Sequence, residues 1–136
     1  MPSLPSGLPE SVDDDEDLAR FLTSSGWFKS QMAKPSAFLP NPKDQETSVF
    51  RHGAEPRADL WKIGREHAAG ERTLHGAALL TARSVRAALL EVTASEPPPR
   101  HAAVVGWPSE DDPELQKARQ KERAVLLVQA SQLLLA

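Results

Sequence analysis

The sequence predicts an α+β fold, a small and mostly antiparallel sheet with one middle helix and a long C-terminal helix packed on it. Three observations lead there. Short apolar stretches of strand composition, "ETSVFRH", "LLEVTAS" and "RHAAVVGW", are separated by proline- and glycine-bearing segments. Leu60, Ile63 and His67 recur at intervals of three and four residues, the period of a helix face. Asp112 followed by Pro113 is a helix start signal, and no glycine or proline interrupts the chain from there to its end.

Each element follows from local composition. Residues 1–17 combine prolines, serines and an acidic cluster with few apolar side chains, so a disordered tail is expected, with a single domain over 18–136. Asp17 could still serve as a local cap. "DLARFLTSSGWF" reads as a short strand entering the core and a Ser-Ser-Gly turn. The prolines around Ala37, Phe38 and Leu39 leave room for a short edge strand or an extended loop, with Phe38 as a core anchor. In "ETSVFRH" Thr47, Val49 and Arg51 share one strand face and Ser48, Phe50 and His52 the other. Pro56 suits a first helical turn, and Gly70 stops the helix that follows. "TLHGAALLT" reads as a strand, with Thr81 capping a brief helix over "ARSVRAA"; one longer helix from 77 to 90 competes. Pro97, Pro98 and Pro99 form a stiff connector. The last helix changes character along its length. Lys117, Arg119, Lys121 and Arg123 come first, whereas from Ala124 onward nearly every residue is apolar or small. That half is either buried in the domain or part of an oligomer interface, with Val125, Val128, Leu133 and Leu134 as the candidate interface residues.

Composition bounds the function. A chain of 136 residues fits one domain. With no cysteine, disulfides, thiolate metal sites and cysteine nucleophiles are excluded. The N-terminus lacks the basic start and apolar run of a secretory signal, and no stretch approaches a membrane span, so a cytosolic protein is expected. Six acidic residues and no basic one precede Leu18, which leaves the rest of the chain mildly basic. The three tryptophans each have a basic residue near them, but no recognition module surrounds them; core anchoring is the favoured role and nucleic-acid binding is not expected.

The candidate chemistry centres on histidine and arginine. His52, His75 and His101 all sit near proposed strand ends, where they could converge for proton transfer. No His-x-His or His-Glu-x-x-His spacing accompanies them, so neither a metal nor another cofactor is expected. Glu46 and His52 lie about 20 Å apart along one strand and cannot touch. No nucleophile elbow, phosphate-binding glycine loop or dinucleotide fingerprint occurs.

Taken in order, "KPSAFLP", "ETSVFRH", "LWKIG", "LHG" and "RHAAVVGWP", with the basic-then-apolar last helix, resemble a group of small uncharacterised bacterial proteins. The resemblance spans residues 18–136 and implies a bacterial cytosolic protein, with no activity attached. Two expectations follow for function. The first is a non-enzymatic interaction domain that forms a homodimer or docks a protein partner through the C-terminal helix. The second is a small enzyme or ligand-binding domain for a phosphorylated or nucleotide-like molecule, using Arg51, His52, His75 and His101 for catalysis and Arg20 and Arg51 for phosphate contacts.

Overall fold

The computed structural model of the chain describes residues 4–52 and 57–136. Strands β1 (Asp17–Leu22), β4 (Thr47–Arg51), β5 (Gly76–Thr81), β6 (Glu91–Ala94), β7 (His101–Val105) and β8 (Gln132–Leu135) form one six-stranded sheet in the order β6-β7-β4-β1-β5-β8. Every pairing in it is antiparallel. A two-stranded ribbon, β2 (Phe28–Lys29) with β3 (Met32–Ala33), stands apart from it in hydrogen bonding. Helices α2 (Ala82–Ala87) and α3 (Pro113–Ala130) cover one sheet face, and α1 (Arg57–Ile63) covers the other. The α+β class is therefore as the sequence predicts, with the middle helix and the long last helix in place.

Strand alternation divides the core into two clusters. Leu18, Leu22, Val49, Ala78, Val92 and Val104 face α2 and α3, where Val85, Ala124, Leu127 and Val128 meet them. Ala19, Phe21, Phe50 and Ala77 face the other way, toward Leu60, Trp61 and Ile63. Phe38 is fully buried in the first cluster, the anchor that its proline-flanked position predicts.

Local signals placed several boundaries. Thr81 Oγ1 accepts the Ser84 N–H at 3.2 Å and starts α2, so residues 77–90 form strand, then helix, then a turn rather than one helix, and β6 follows from Glu91. Asp112 Oδ1 accepts the Glu114 N–H at 3.0 Å with Pro113 in the first turn. Past Ile63 the chain continues as a π-helical segment over Gly64–Ala69 and stops at Gly70, whose φ of 58° is left-handed. Gly64 permits that segment's approach to β1, because a Cβ there would lie 2.7 Å from the Phe21 ring. The Pro97–Pro99 run turns instead of extending, and His101 N–H donates back to Pro98 O at 3.1 Å. Pro56 and Gly53 lie outside the described residues.

Two expectations are corrected. Residues 4–16 are not a free tail: Val12 is buried, and Asp14 and Glu16 meet half-buried and buried arginines. Arg51, whose side chain is 1% exposed, forms a two-pronged pair with Glu16 at 2.7 and 2.9 Å. Arg51 also donates to the carbonyls of Pro9, at 2.7 Å, and Ser11. Asp14 pairs with Arg86, which donates to Val12 O and Glu91 as well. The acidic cluster thus gains its order from arginines remote in sequence, which local composition does not reveal. The second correction concerns the C-terminus. Helix α3 ends at Ala130, where Ser131 Oγ and N–H both bond Val128 O, and residues 132–135 pair with β5 as an edge strand. Val128 is buried, Leu133 packs in the first cluster and Leu134 in the second, while Val125 is half-buried. The apolar half is thus packed within the domain, one of the two expected alternatives, but from residue 132 it does so as a strand that covers both sheet faces.

Replacing Arg51 with Met should cost about 3 kcal/mol in urea unfolding, near the low end for breaking a buried pair because Glu16 is partly solvated. Amide exchange around Val12 should rise in the same variant. Gly76→Ala should cost about 2 kcal/mol by the same measurement, since a Cβ there would sit 2.4 Å from Leu134 O and push β8 off β5.

Candidate functional site

The sheet is continuous everywhere except between β1 and β4. Those strands share only Leu18↔Arg51 and Ala19↔Phe50, whereas β1 pairs with β5 at six positions and β4 with β7 at four. Beyond Ala19 and Phe50 the two strands diverge. Arg20 spans the opening. Its Nη1 donates to the Ser48 carbonyl at 3.0 Å, a group that continued pairing would have given to a backbone N–H, and its Nε donates to Ala37 O at 2.7 Å. The guanidinium lies 4.8 Å from the centre of the Trp27 ring.

A cleft of about 680 Å³ opens at this split, within the size range of small-molecule sites. Arg20, Phe21 and Thr23 line it from β1 and the loop after it, and Glu46, Ser48 and Phe50 from β4 and the loop before it. His67 and Ala68 enter from the π-helical segment, Arg72 from the turn after it, and Pro98 and His101 from the β6–β7 connection. Trp27, Ser36, Leu39, Asn41 and the prolines at 40 and 42 complete the wall.

Two guanidiniums dominate the electrostatics. Burial first, and the charge of Arg72 second, push the Arg20 pKa down to about 10. Among the described residues neither arginine is ion-paired with a carboxylate; Arg72 donates to the carbonyls of Ala68, at 2.8 Å, and Ala69. Arg20 uses two of its N–H groups within the chain, out of the five that a guanidinium carries. An anion in the cleft would relieve the mutual repulsion and restore part of the lost hydration. The acidic N-terminal residues do not provide that anion. Glu16 is held by Arg51 and Asp14 by Arg86.

Of the candidate side chains weighed from sequence, Arg20, Glu46 and His101 line the cleft. Arg51 is occupied by Glu16, Pro9 and Ser11. His52 is buried, and its backbone N–H donates to Asp17 O at 3.2 Å at the start of β1. His75 donates its N–H to Leu22 O at the far end of that strand, about 17 Å along it, and its ring lies 5.7 Å from Phe28. His52 and His75 therefore do not converge. Among the described residues no group of three His, Asp or Glu side chains could hold a metal ion, and no helix is long and apolar enough to cross a membrane.

His101 is the best-positioned histidine. Its Nε2 lies 3.0 Å from Ser48 Oγ, its Nδ1 2.9 Å from Ser95 O, and its ring stands edge-on to Phe50 at 5.3 Å. The register explains the meeting: His101 pairs with Phe50 and Ser48 with Ala103. Sequence reading missed Ser48, His67 and Arg72. Ser48 was placed on the same strand face as Phe50, but nothing in the chain announces that residue 101 lies across from it. No family model, curated protein or solved structure matches this chain.

Proposed function

We propose that the protein is a ligand-binding domain for a small phosphorylated or nucleotide-like molecule, held at the split between β1 and β4. One observation carries this reading: Arg20 and Arg72, without carboxylate partners among the described residues, share a cleft with an aromatic wall. Phosphate supplies paired acceptors that match a guanidinium fork. Trp27, already against Arg20, offers a face on which a planar ring can stack. His67 and His101 add hydrogen-bonding nitrogens at the rim, and Glu46 is the one carboxylate among the residues that line the cleft.

Self-association is the competing reading, and it rests on exposed leucines. Leu115 and Leu126 of α3 and Leu135 of β8 are 40, 46 and 56% exposed. Most of the apolar residues that suggest an interface from sequence are instead used within the chain: Val128 is buried, and Leu133 and Leu134 pack on the two clusters. The ligand reading therefore has the stronger support.

Titration calorimetry with ADP and with inorganic pyrophosphate should give saturable binding that weakens as salt is raised. Arg72→Ala should reduce affinity about tenfold, the effect of losing one hydrogen bond to a charged group. Absence of heat with both probes from a folded monomer would refute the reading. A dimer by native mass spectrometry with no bound anion would favour self-association.

A further inference from the structure

The contacts of His101 determine which of its nitrogens carries the proton. Ser95 O is a carbonyl oxygen and can only accept, so the hydrogen between it and His101 resides on Nδ1. The neutral ring then presents Nε2 as an acceptor, and the Ser48 hydroxyl donates to it across 3.0 Å. The ring is fixed from several sides. Ser95 N–H donates to His101 O at 2.9 Å, closing a reciprocal pair between the two residues, and Phe50 backs the imidazole. A hydroxyl, an imidazole and a third group that sets the tautomer are the parts of an activated serine. Here a backbone carbonyl takes the third place. Ser48 is exposed and lines the cleft, and its own carbonyl accepts from Arg20, which brings positive charge next to the hydroxyl.

We propose that Ser48 is a nucleophile and His101 its general base in the hydrolysis of carboxylic esters that bear an anionic group on the acyl side. Ser48 Oγ bonds to the ester carbonyl carbon while its proton passes to His101 Nε2, and the carbonyl π electrons move to oxygen. Ser95 O stabilises the resulting imidazolium through Nδ1–H, and the Arg20 guanidinium is the nearby positive charge for the oxyanion. Collapse breaks the bond to the alkoxy oxygen, and the alcohol leaves with the proton from Nε2. Water then adds to the acyl-serine, giving its proton to Nε2, and Ser48 Oγ departs with that proton as the free acid forms. The net change is ester plus water to acid plus alcohol, with no oxidant, metal or cofactor consumed. The anionic requirement rests on the proposed anion-binding role of Arg20 and Arg72, whereas the serine–histidine geometry stands without it.

The test begins with a small neutral fluorophosphonate added to the full chain, the adduct being located by peptide mass spectrometry. One adduct is expected, at Ser48, with loss of fluoride. It should vanish in Ser48→Ala, persist in Ser36→Ala, whose serine lines the same cleft, and form at least about 100-fold more slowly in His101→Gln. Circular dichroism and urea midpoints verify that each variant is folded. No adduct at Ser48 in folded wild-type protein, or labelling spread equally over Ser36 and Ser48, overturns the nucleophile directly on the native chain. Equal rates in folded His101→Gln overturn the base. Hydrolysis of the mono-4-nitrophenyl ester of succinate is then compared with that of 4-nitrophenyl acetate. A preference of about tenfold for the anionic ester, lost in Arg72→Ala, is expected. Labelling without that preference overturns the substrate class and leaves the serine intact, while ADP binding without labelling overturns the serine and leaves the anion site intact.

Discussion

The junction between β1 and β4 is the constraint on which the rest of the structure depends. Only two residue pairs join the two halves of the sheet, so both ends of the junction need other support. At one end Arg51 is locked to Glu16 and to two carbonyls of the N-terminal segment, and His52 N–H closes on Asp17 O. At the other end Arg20 substitutes for the missing ladder by donating to Ser48 O and Ala37 O. Burying a guanidinium is costly, and both arginines meet that cost with several hydrogen bonds. The difference between them lies in charge. Arg51 has a carboxylate and is structural, whereas Arg20 has carbonyls, a tryptophan face and a second arginine nearby.

That difference separates the roles of the two ends of this junction. The acidic N-terminal segment neutralises Arg51 and Arg86, whereas Arg20 and Arg72 at the cleft have no carboxylate partner among the described residues. Two guanidiniums at a gap in a sheet, with no carboxylate partner among the described residues, are an arrangement that a folded chain tolerates at some cost to stability. Costs of this kind concentrate at functional sites, where bound ligand offsets them. The π-helical segment adds to the case. It is an uncommon conformation, it carries His67 and Ala68 to the cleft rim, and it approaches Phe21 closely enough to require glycine at position 64.

The C-terminal strand shows how packing can reassign a segment whose composition reads otherwise. Residues 132–135 continue an apolar run that begins inside α3, and no proline or glycine marks a break. Ser131 breaks it by taking Val128 O with both its hydroxyl and its N–H. The strand then finds an open β5 edge and the narrow surface over Gly76. Leu133 and Leu134 each satisfy one sheet face, which a helix surface at this position would not allow.

The sequence by itself determined the α+β class, the caps at Thr81 and Asp112, the stop at Gly70, the anchoring by Phe38 and the alternation of Val49 and Phe50 about β4. All of these depend on interactions within a few residues or on a periodicity of two, which local composition carries. Tertiary structure alone decided that residues 4–16 pack onto Arg51 and Arg86, that residues 132–135 form a strand, and that the sheet splits beside Arg20. It also decided which histidine meets a serine. Arg51 and His52 stand beside one another in the chain, yet one is bound to the N-terminal segment and the other is buried at the start of β1. His101 meets Ser48 because β7 pairs with β4 in one register, a contact across 53 positions that no local signal encodes.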